Sequence, residues 1–192
     1  MYFLEQTHNS QFKIQSLNMD LEKLKYPIGA YVSPINITDE DRKQWVKDIA
    51  EFPKQLVEVV GKLNTEQLDK PYRPGGWTAR QVVHHLADSH MNSYIRFKLA
   101  LTEANPTVKP YEEKLWAELD DAQSLPVAVS LQILNGLHYR WTHMLTKFTA
   151  DDWQRTFYHP ESKGDYPLDE MLAHYSWHGK HHTAQIAGMQ VS

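Results

Sequence analysis

The chain has 192 residues, of which none is cysteine and eleven are histidine. This length suits a single domain with a sizeable hydrophobic core. A formal net charge of −4 provides no basic field that would attract nucleic acid or an anionic membrane. Without cysteine, the protein has no disulfide, thiolate nucleophile, iron–sulfur cluster or cysteine-type zinc finger. A transition metal would therefore have to be bound by histidines and carboxylates.

The N-terminal segment, residues 1–18, is polar and aperiodic, and it lacks the basic and apolar regions of a secretory signal. We predict that residues 1–18 form a flexible extension, with Met19 as a possible start, and that residues 19–192 form one domain. No run approaches the roughly 18 apolar residues that a membrane span needs. The absence of disulfides fits a reducing compartment, so we expect a cytoplasmic protein.

The spacing of apolar residues predicts four long helices, of which the first two have clear N-terminal signals. The first begins at Thr38 and repeats apolar residues at intervals of three and four as far as Leu63. It contains Pro53, which we expect to kink it. The second begins after Thr78, which forms a capping box with Gln81, and extends to about residue 103.

The second half of the chain contains the other two long helices and shorter elements between them. A short helix is predicted over residues 111–120, and a small hairpin or ordered loop over residues 155–166. The third long helix starts near Pro126, and the fourth spans Leu168 to Met189. The predicted inward stripe of the third helix consists of Val129, Ile133, Leu137, Trp141, Met144, Leu145 and Phe148. These elements predict an all-α protein, a four-helix bundle with short helices or a small hairpin in the connections.

Seven of the eleven histidines fall in two short windows, one on the second helix and one on the fourth. At 100° per residue, His178 and His182 lie in the middle of the apolar stripe of the fourth helix. They are one helical turn apart, so both imidazoles can reach a single ion. His174 and His181 lie at the edge of this stripe, and His181 is the less suitable ligand.

The same treatment of the second helix selects His85 as the best partner for the histidine pair. It lies beside Ser89 near the inward face, whereas His84 falls on the predicted outer face and His90 is ambiguous. Three imidazoles suit Zn, Ni, Fe(II) or Cu and leave positions open for water and substrate, which is typical of a catalytic site. The alternative is that these histidines only satisfy hydrogen bonds in the core.

The sequence shows no clear general base that could act beside such an ion. The window 177–182, WHGKHH, lacks the glutamate of an HExxH metalloprotease motif. Asp88, one turn beyond His85, has a phase that points it outward, and we expect a solvated carboxylate. The sequence therefore leaves the catalytic acid or base unassigned.

Several other residues allow both a functional and a structural interpretation. Trp77 and Trp177 could form the walls of a pocket, although core packing is the favoured interpretation. Arg73 and Arg96 could bind an anionic group or form ordinary ion pairs. The segment 72–77, YRPGGW, fits a functional loop and a turn that starts the helix equally well.

Residues 71–98, PYRPGGWTARQVVHHLADSHMNSYIRFK, resemble the signature of the YfiT group within the DinB/YfiT superfamily. The segments YPIG at 26–29, FYHP at 157–160 and WH at 177–178 agree with this resemblance, which extends from about residue 20 to 190. The extension before Met19 departs from the family pattern. So do Gly179 and Lys180 between the ligands of the last helix, although neither residue removes a ligand.

The resemblance implies a four-helix bundle with one divalent metal ion held by His85, His178 and His182, the same three residues that the helical phase selects. Zinc is the expected metal, with nickel or iron as alternatives. Members are described as metal-dependent hydrolases that are dimeric and cytoplasmic, which implies a homodimer and a small-molecule substrate. Relatives attach the small thiol bacillithiol to electrophiles, so thiol S-transfer is an alternative activity. A non-catalytic metal-binding bundle is the third possibility.

Overall fold

The structure is a computed structural model, and it describes residues 21–189. The predicted extension over residues 1–18 lies outside the described residues. Residues 21–25 are helical, and a turn-rich segment leads from them to the first long helix. No helix among residues 21–189 is long and apolar enough to cross a bilayer.

Four long helices form the bundle: α1 (Asp39–Val60), α3 (Ala79–Thr102), α6 (Val127–Leu145) and α8 (Leu168–Gly188). The predicted capping box of Thr78 is present, and Thr38, predicted as the start of the first helix, forms a second box with Asp41. Both boxes satisfy backbone N–H groups that the first turn leaves free. Helix α1 continues through Pro53 as one element and ends three residues before the predicted Leu63. These helices confirm the predicted four-helix bundle.

The connections contain short helices and one hairpin. The helices are α2 (Thr65–Leu68), α4 (Glu113–Trp116), α5 (Asp120–Ser124) and α7 (Ala150–Trp153). The segment predicted as one short helix over 111–120 thus contains α4 and the beginning of α5. Strands β1 (Thr156–His159) and β2 (Gly164–Pro167) form the antiparallel hairpin that was one of the two predicted alternatives, with Phe157 opposite Tyr166.

The topology places the first two long helices at opposite corners of the bundle, and the last two likewise. Helix α1 packs against α6 and α8, and α3 packs against the same two helices. Helices α1 and α3 are therefore diagonal to each other, as are α6 and α8. This arrangement brings the second predicted histidine window, on α8, next to the first window, on α3.

The bundle interior consists of two apolar clusters with a polar layer between them. One cluster surrounds Trp141 and Phe97, and the other surrounds Leu56 and Leu86. His90 lies between them, because its ring contacts both Phe52 of the second cluster and Trp141 of the first. Burial of imidazoles in this layer must be balanced by hydrogen bonds, since an unpaired buried polar group is costly.

The inward face of α6 differs from the predicted stripe. The residues buried along this helix are Ser130, Leu134, His138, Trp141 and Leu145. The predicted Val129 and Ile133 are 43% and 41% exposed. Trp141 and Leu145 are buried as predicted, and Leu137, Met144 and Phe148 pack against the first cluster. In the first half of the helix, however, Leu134 is buried in place of Ile133, because α6 carries apolar residues on two faces. The buried stripe contains His138, a histidine outside the two predicted windows.

Candidate metal centre

His85, His178 and His182 come together at the interface of α3 and α8. Each of them offers one ligand atom, and these atoms all lie within 4.8 Å of one another. The Nε2 atoms of His85 and His178 are 3.4 Å apart. The ring of His182 lies 5.1 Å from that of His85 and 4.6 Å from that of His178, measured between centroids. The three residues selected by helical phase therefore form one cluster with the geometry expected of a three-nitrogen site.

Burial keeps the three imidazoles neutral. It lowers the pKa of His85 to about 4. Burial, followed by the proximity of the other histidines, holds the pKa values of His178 and His182 well below their ordinary value. A neutral imidazole has one nitrogen lone pair available for a metal. The donor set thus fits a divalent transition ion, and the site needs no proton release to bind one.

The second nitrogen of His178 begins a chain of hydrogen bonds through the bundle. His178 Nδ1 is 3.1 Å from His90 Nε2, and His90 Nδ1 is 2.8 Å from His138 Nε2. His138 Nδ1 is 2.6 Å from the carbonyl oxygen of Ile49 on α1. His90 and His138 are 0% and 1% exposed. The polar layer of the core is therefore connected directly to the metal cluster.

The second nitrogen of His182 is held by a different partner. Its Nδ1 donates to Gln185 Oε1 at 2.8 Å. The amide nitrogen of Gln185 in turn donates to the Lys25 carbonyl and to His181 Nε2, both at 2.9 Å. Because both partners of the amide nitrogen are acceptors, the orientation of the Gln185 amide is defined. His181 belongs to this support and not to the cluster, in agreement with its predicted phase.

The structure corrects the prediction for His84, which is buried and does not lie on an outer face. Its Nδ1 is 2.8 Å from Ser130 Oγ, and its Nε2 is 3.1 Å from the Leu125 carbonyl. The reason is topological, because the face of α3 that carries His84 packs against α6 and the segment before it. The two adjacent histidines of the HH pair thus have different roles, with His84 bonded to a neighbouring helix and His85 in the cluster.

Asp88 is half-buried, whereas the sequence predicted a solvated side chain. Burial, with a smaller contribution from Asp121, raises its pKa to about 6. No hydrogen bond links its carboxylate to the histidine cluster among the described residues. The structure therefore assigns it no role at the centre.

A cleft of about 650 Å³ opens onto His182. Its walls include the loop 72–77, together with Lys25 and residues of α4. Trp77 is half-buried and lines this cleft, with its ring 4.8 Å from that of His85. It also packs against the second apolar cluster, so this residue combines core packing with the wall of a cleft. Trp177 is also half-buried, and it stacks on His181 with centroids 4.5 Å apart.

The two arginines that the sequence analysis singled out line different clefts. Arg73 lies in the cleft beside His182 and has no carboxylate partner within residues 21–189. Arg96 lines a second cleft of about 380 Å³, together with His174, Phe157 and Tyr166. Neither arginine forms an ion pair with a residue in the described range, so the alternative prediction is not met there.

A model of the DinB superfamily matches residues 48–186 of the chain, which includes the three clustered histidines. The chain belongs to the DinB superfamily. Two curated relatives, from Bacillus mycoides (strain KBAB4) and Bacillus cereus (strain B4264), are each 51% identical over 170 residues, covering 88% of this chain and 97% of the relative. Both are named "putative metal-dependent hydrolase".

A solved structure supports the same conclusion for this DinB-superfamily protein. YfiT from Bacillus subtilis has a TM-score of 0.85 and 48% sequence identity, over 87% of this chain and 95% of that chain. It is described as a probable metal-dependent hydrolase with an unusual four-helix bundle topology. The family and fold expected from the resemblance are thus confirmed. The names of the relatives and the histidine cluster together indicate metal dependence.

Proposed function

We propose that His85, His178 and His182 hold one divalent metal ion, with zinc first and nickel or iron as alternatives, and that the protein is a metal-dependent hydrolase of small molecules. The observation that carries this proposal is the convergence of three neutral imidazoles, two buried and the half-buried His182, at the end of an open cleft. Imidazole nitrogens suit all three metals. The names of the relatives support hydrolysis as the reaction class.

The protein side of the reaction follows from this geometry. A divalent ion held by three imidazoles supplies Lewis acidity, which makes a bound water or thiol more acidic and polarises a substrate bond. Trp77 provides an apolar wall beside His85, and Arg73 provides a cation for an anionic part of the substrate. Because His182 lines the cleft, the histidine cluster faces space that a small molecule can enter. This feature favours an enzyme over a non-catalytic metal-binding bundle.

The first experiment tests the metal centre. We expect one equivalent of metal per chain in the purified protein, and loss of that metal in His85→Ala, His178→Ala and His182→Ala. His84→Ala is the matched control, because this neighbouring buried histidine makes its hydrogen bonds outside the cluster. Elemental analysis of the four variants provides the readout. Full occupancy in His178→Ala would overturn the assignment.

Thiol S-transfer is the second candidate, and the observation that favours it is Arg73, which has no carboxylate partner among residues 21–189. Lys25 and Lys114 also line the space beside His182, but so do Glu113 and Glu118, so Arg73 is the cation that a small thiol carrying carboxylates would meet. The thiol must come from outside the chain, which has no cysteine. In this reaction the thiolate sulfur attacks an electrophile, a carbon–sulfur bond forms, and the leaving group departs with its electron pair.

A second experiment separates the two reactions on the same metal-loaded protein. Ester and amide substrates are assayed in water alone, and a model electrophile is assayed with a bacillithiol-type thiol. Hydrolysis predicts product without thiol, whereas transfer predicts stoichiometric thiol consumption. No thiol consumption under any metal loading would exclude transfer, and no activity in either assay would favour the non-catalytic alternative.

We also propose, from the resemblance, that the protein acts as a homodimer in the cytoplasm. The exposed apolar residues Val129 and Ile133 on α6 provide surface for a second copy. Light scattering at micromolar concentration tests this assignment, since a mass near 22.4 kDa would exclude the dimer.

A further inference from the structure

We propose that His90 and His138 are positioning residues through which the carbonyl of Ile49 sets the tautomer of His178, so that its Nε2 lone pair faces the cluster. The role of these two residues in metal binding rests on the proposed metal centre. The tautomer of His178, however, follows from the hydrogen bonds alone. Neither residue contacts the place where the three ligand atoms converge, so they act through His178 and are not ligands themselves.

The direction of the chain follows from its far end. A carbonyl oxygen only accepts hydrogen bonds, so His138 Nδ1, 2.6 Å from Ile49 O, must carry the hydrogen. In a neutral imidazole the other nitrogen is then an acceptor, so His138 Nε2 accepts from His90 Nδ1 at 2.8 Å. By the same rule His90 Nε2 accepts from His178 Nδ1 at 3.1 Å. His178 is therefore protonated at Nδ1, and its Nε2 keeps the free lone pair.

The reversed direction is not compatible with these contacts. If His178 carried its hydrogen on Nε2, its Nδ1 would become an acceptor, and each neutral ring along the chain would have to turn its donor the other way. His138 Nδ1 would then place a lone pair against the lone pairs of the Ile49 oxygen, at a side chain that is 1% exposed. One backbone carbonyl on α1 thus decides which nitrogen of a ligand on α8 is free.

Packing holds the two intermediate rings in place. Phe52 stacks on His90, with centroids 4.8 Å apart and planes inclined by 23°, and it lies 4.9 Å from His138. Trp141 contacts both rings from the other cluster. The rings are therefore confined between aromatic surfaces, and the hydrogen-bonded arrangement does not depend on exposed side chains.

His182 provides an independent comparison within the same site. Its Nδ1 donates to Gln185, whose amide is oriented by the Lys25 carbonyl. Both ligands on α8 therefore have their tautomers set by backbone carbonyls of other segments, one on α1 and one at residues 21–25. Outer partners of metal-bound histidines commonly fix ring orientation in this way, and their loss lowers metal affinity by roughly 10–100-fold.

The test compares His138→Leu with His138→Gln. Leucine removes both hydrogen bonds, whereas glutamine can donate its amide N–H to Ile49 O and accept from His90 with its amide oxygen. Nitrogen-15 NMR of the imidazoles in the metal-free protein reports the tautomer of His178, and competition titration reports zinc affinity. We expect Nδ1–H at His178 in the unsubstituted protein, about 10-fold or greater loss of zinc affinity with leucine, and recovery of tautomer and affinity with glutamine.

His84→Leu is the matched control, because it removes another buried imidazole with two hydrogen bonds that lead away from the cluster. It should leave the tautomer of His178 and the zinc affinity unchanged. If His138→Leu does not fold, His90→Leu and His90→Gln replace the pair with the same expectations. A hydrogen on Nε2 of His178 in the metal-free protein would overturn the proposal, as would unchanged zinc affinity in the leucine variant.

Failure of the metal centre itself would look different. If the unsubstituted chain binds no zinc, the proposed function is wrong, but the NMR measurement on the metal-free protein still decides the tautomer of His178. If zinc binds and His178 carries its hydrogen on Nε2, the metal centre stands and the role of His90 and His138 is wrong.

Discussion

The ring of Phe52 lies directly against Gly179, so closely that a Cβ atom on this residue would be 2.7 Å from the ring carbon Cδ2. The same ring stacks on His90, and Gly179 is adjacent to His178 in α8. The missing side chain at position 179 thus allows α1 to approach α8 and lets Phe52 reach the polar layer. This residue, which departs from the family pattern, is therefore explained by packing.

Gly179→Ala should destabilise the protein although alanine is the better helix former. Alanine gains up to about 1 kcal/mol of helix propensity, but overpacking a core contact costs about 1–3 kcal/mol. Gly136→Ala is the matched control, since this exposed glycine lies inside α6 and a Cβ there would have no atom within 4 Å. Denaturant unfolding should show a loss of stability at 179 and a gain at 136. Stabilisation by both substitutions would contradict the close packing of Phe52.

The ion pair between Arg42 and Asp169 should be the strongest electrostatic link between α1 and α8. Arg42 Nη2 is 2.8 Å from Asp169 Oδ2, and the two side chains are 17% and 6% exposed. Arg42→Leu removes the cation of Asp169, which keeps only the Gln154 amide and the Glu170 N–H as donors, and should cost about 2–3 kcal/mol. Asp39, the other partner of Arg42, is 78% exposed. Asp39→Asn should therefore cost less than about 1 kcal/mol. Equal losses of unfolding free energy in the two variants would refute this ranking.

His138 should make the metal-free protein less stable as the pH falls from 6.5 towards 4. Burial lowers its pKa from 6.5 to about 4, although the hydrogen bond to Ile49 opposes this shift. Between these two values the unfolded chain binds the proton more readily, so stability is full above 6.5 and declines below it. The shift corresponds to about 3 kcal/mol at pH 4.

His138→Gln should make this part of the pH profile shallower, because glutamine does not titrate, while His85 and His174, whose pKa values burial also lowers to about 4, still contribute. Exposed His143 supplies the control, and His143→Gln should retain the profile of the unsubstituted chain. Free energies of unfolding at pH 7.5, 6, 5 and 4 provide the measurement. An identical slope in the His138→Gln variant and the unsubstituted protein would show that another group dominates the acid response.

Arg73→Gln should weaken the binding of substrates that carry a carboxylate or phosphate. Its side chain lines the cleft beside His182 and is held by Tyr72 Oη at 3.2 Å and the Pro74 carbonyl at 3.2 Å. Loss of one charge-assisted hydrogen bond is worth about 10-fold or more, and we expect it in KM with little change in kcat. Arg96→Gln tests the other cleft. An increase in KM for Arg96→Gln but not for Arg73→Gln would move the anionic subsite to Arg96.

The histidine pair on the last helix shows which features helical periodicity can predict. His178 and His182 share a face because they are four residues apart, and this relation depends only on the geometry of one helix. The helix start at Thr38 and the capping box at Thr78 are equally local, and both were predicted correctly. Helical phase also selected His85 over His84, although it wrongly placed His84 on the outer face of the bundle.

The contacts between helices could not be predicted from spacing within one helix. Helix α6 has two faces with apolar spacing, and only its packing against α1 and α3 decides that Leu134 and His138 are buried while Ile133 is exposed. Likewise, Trp77 packs against the second apolar cluster, as expected of a large aromatic residue, but it also lines the cleft. Its position beside an open cleft depends on how the loop 72–77 meets residues far away in the chain.

The sequence by itself determined the four amphipathic helices, their starting points and the three histidines that the structure gathers into one cluster, because these properties depend on residues within a few turns of one another. Only the tertiary structure decided that α1 and α3 are diagonal, that His84 is buried, and that His90 and His138 connect the cluster to Ile49. These features depend on which helix faces lie against each other. That choice is made by the packing of the whole core, in which a single missing Cβ at Gly179 decides how closely two helices approach.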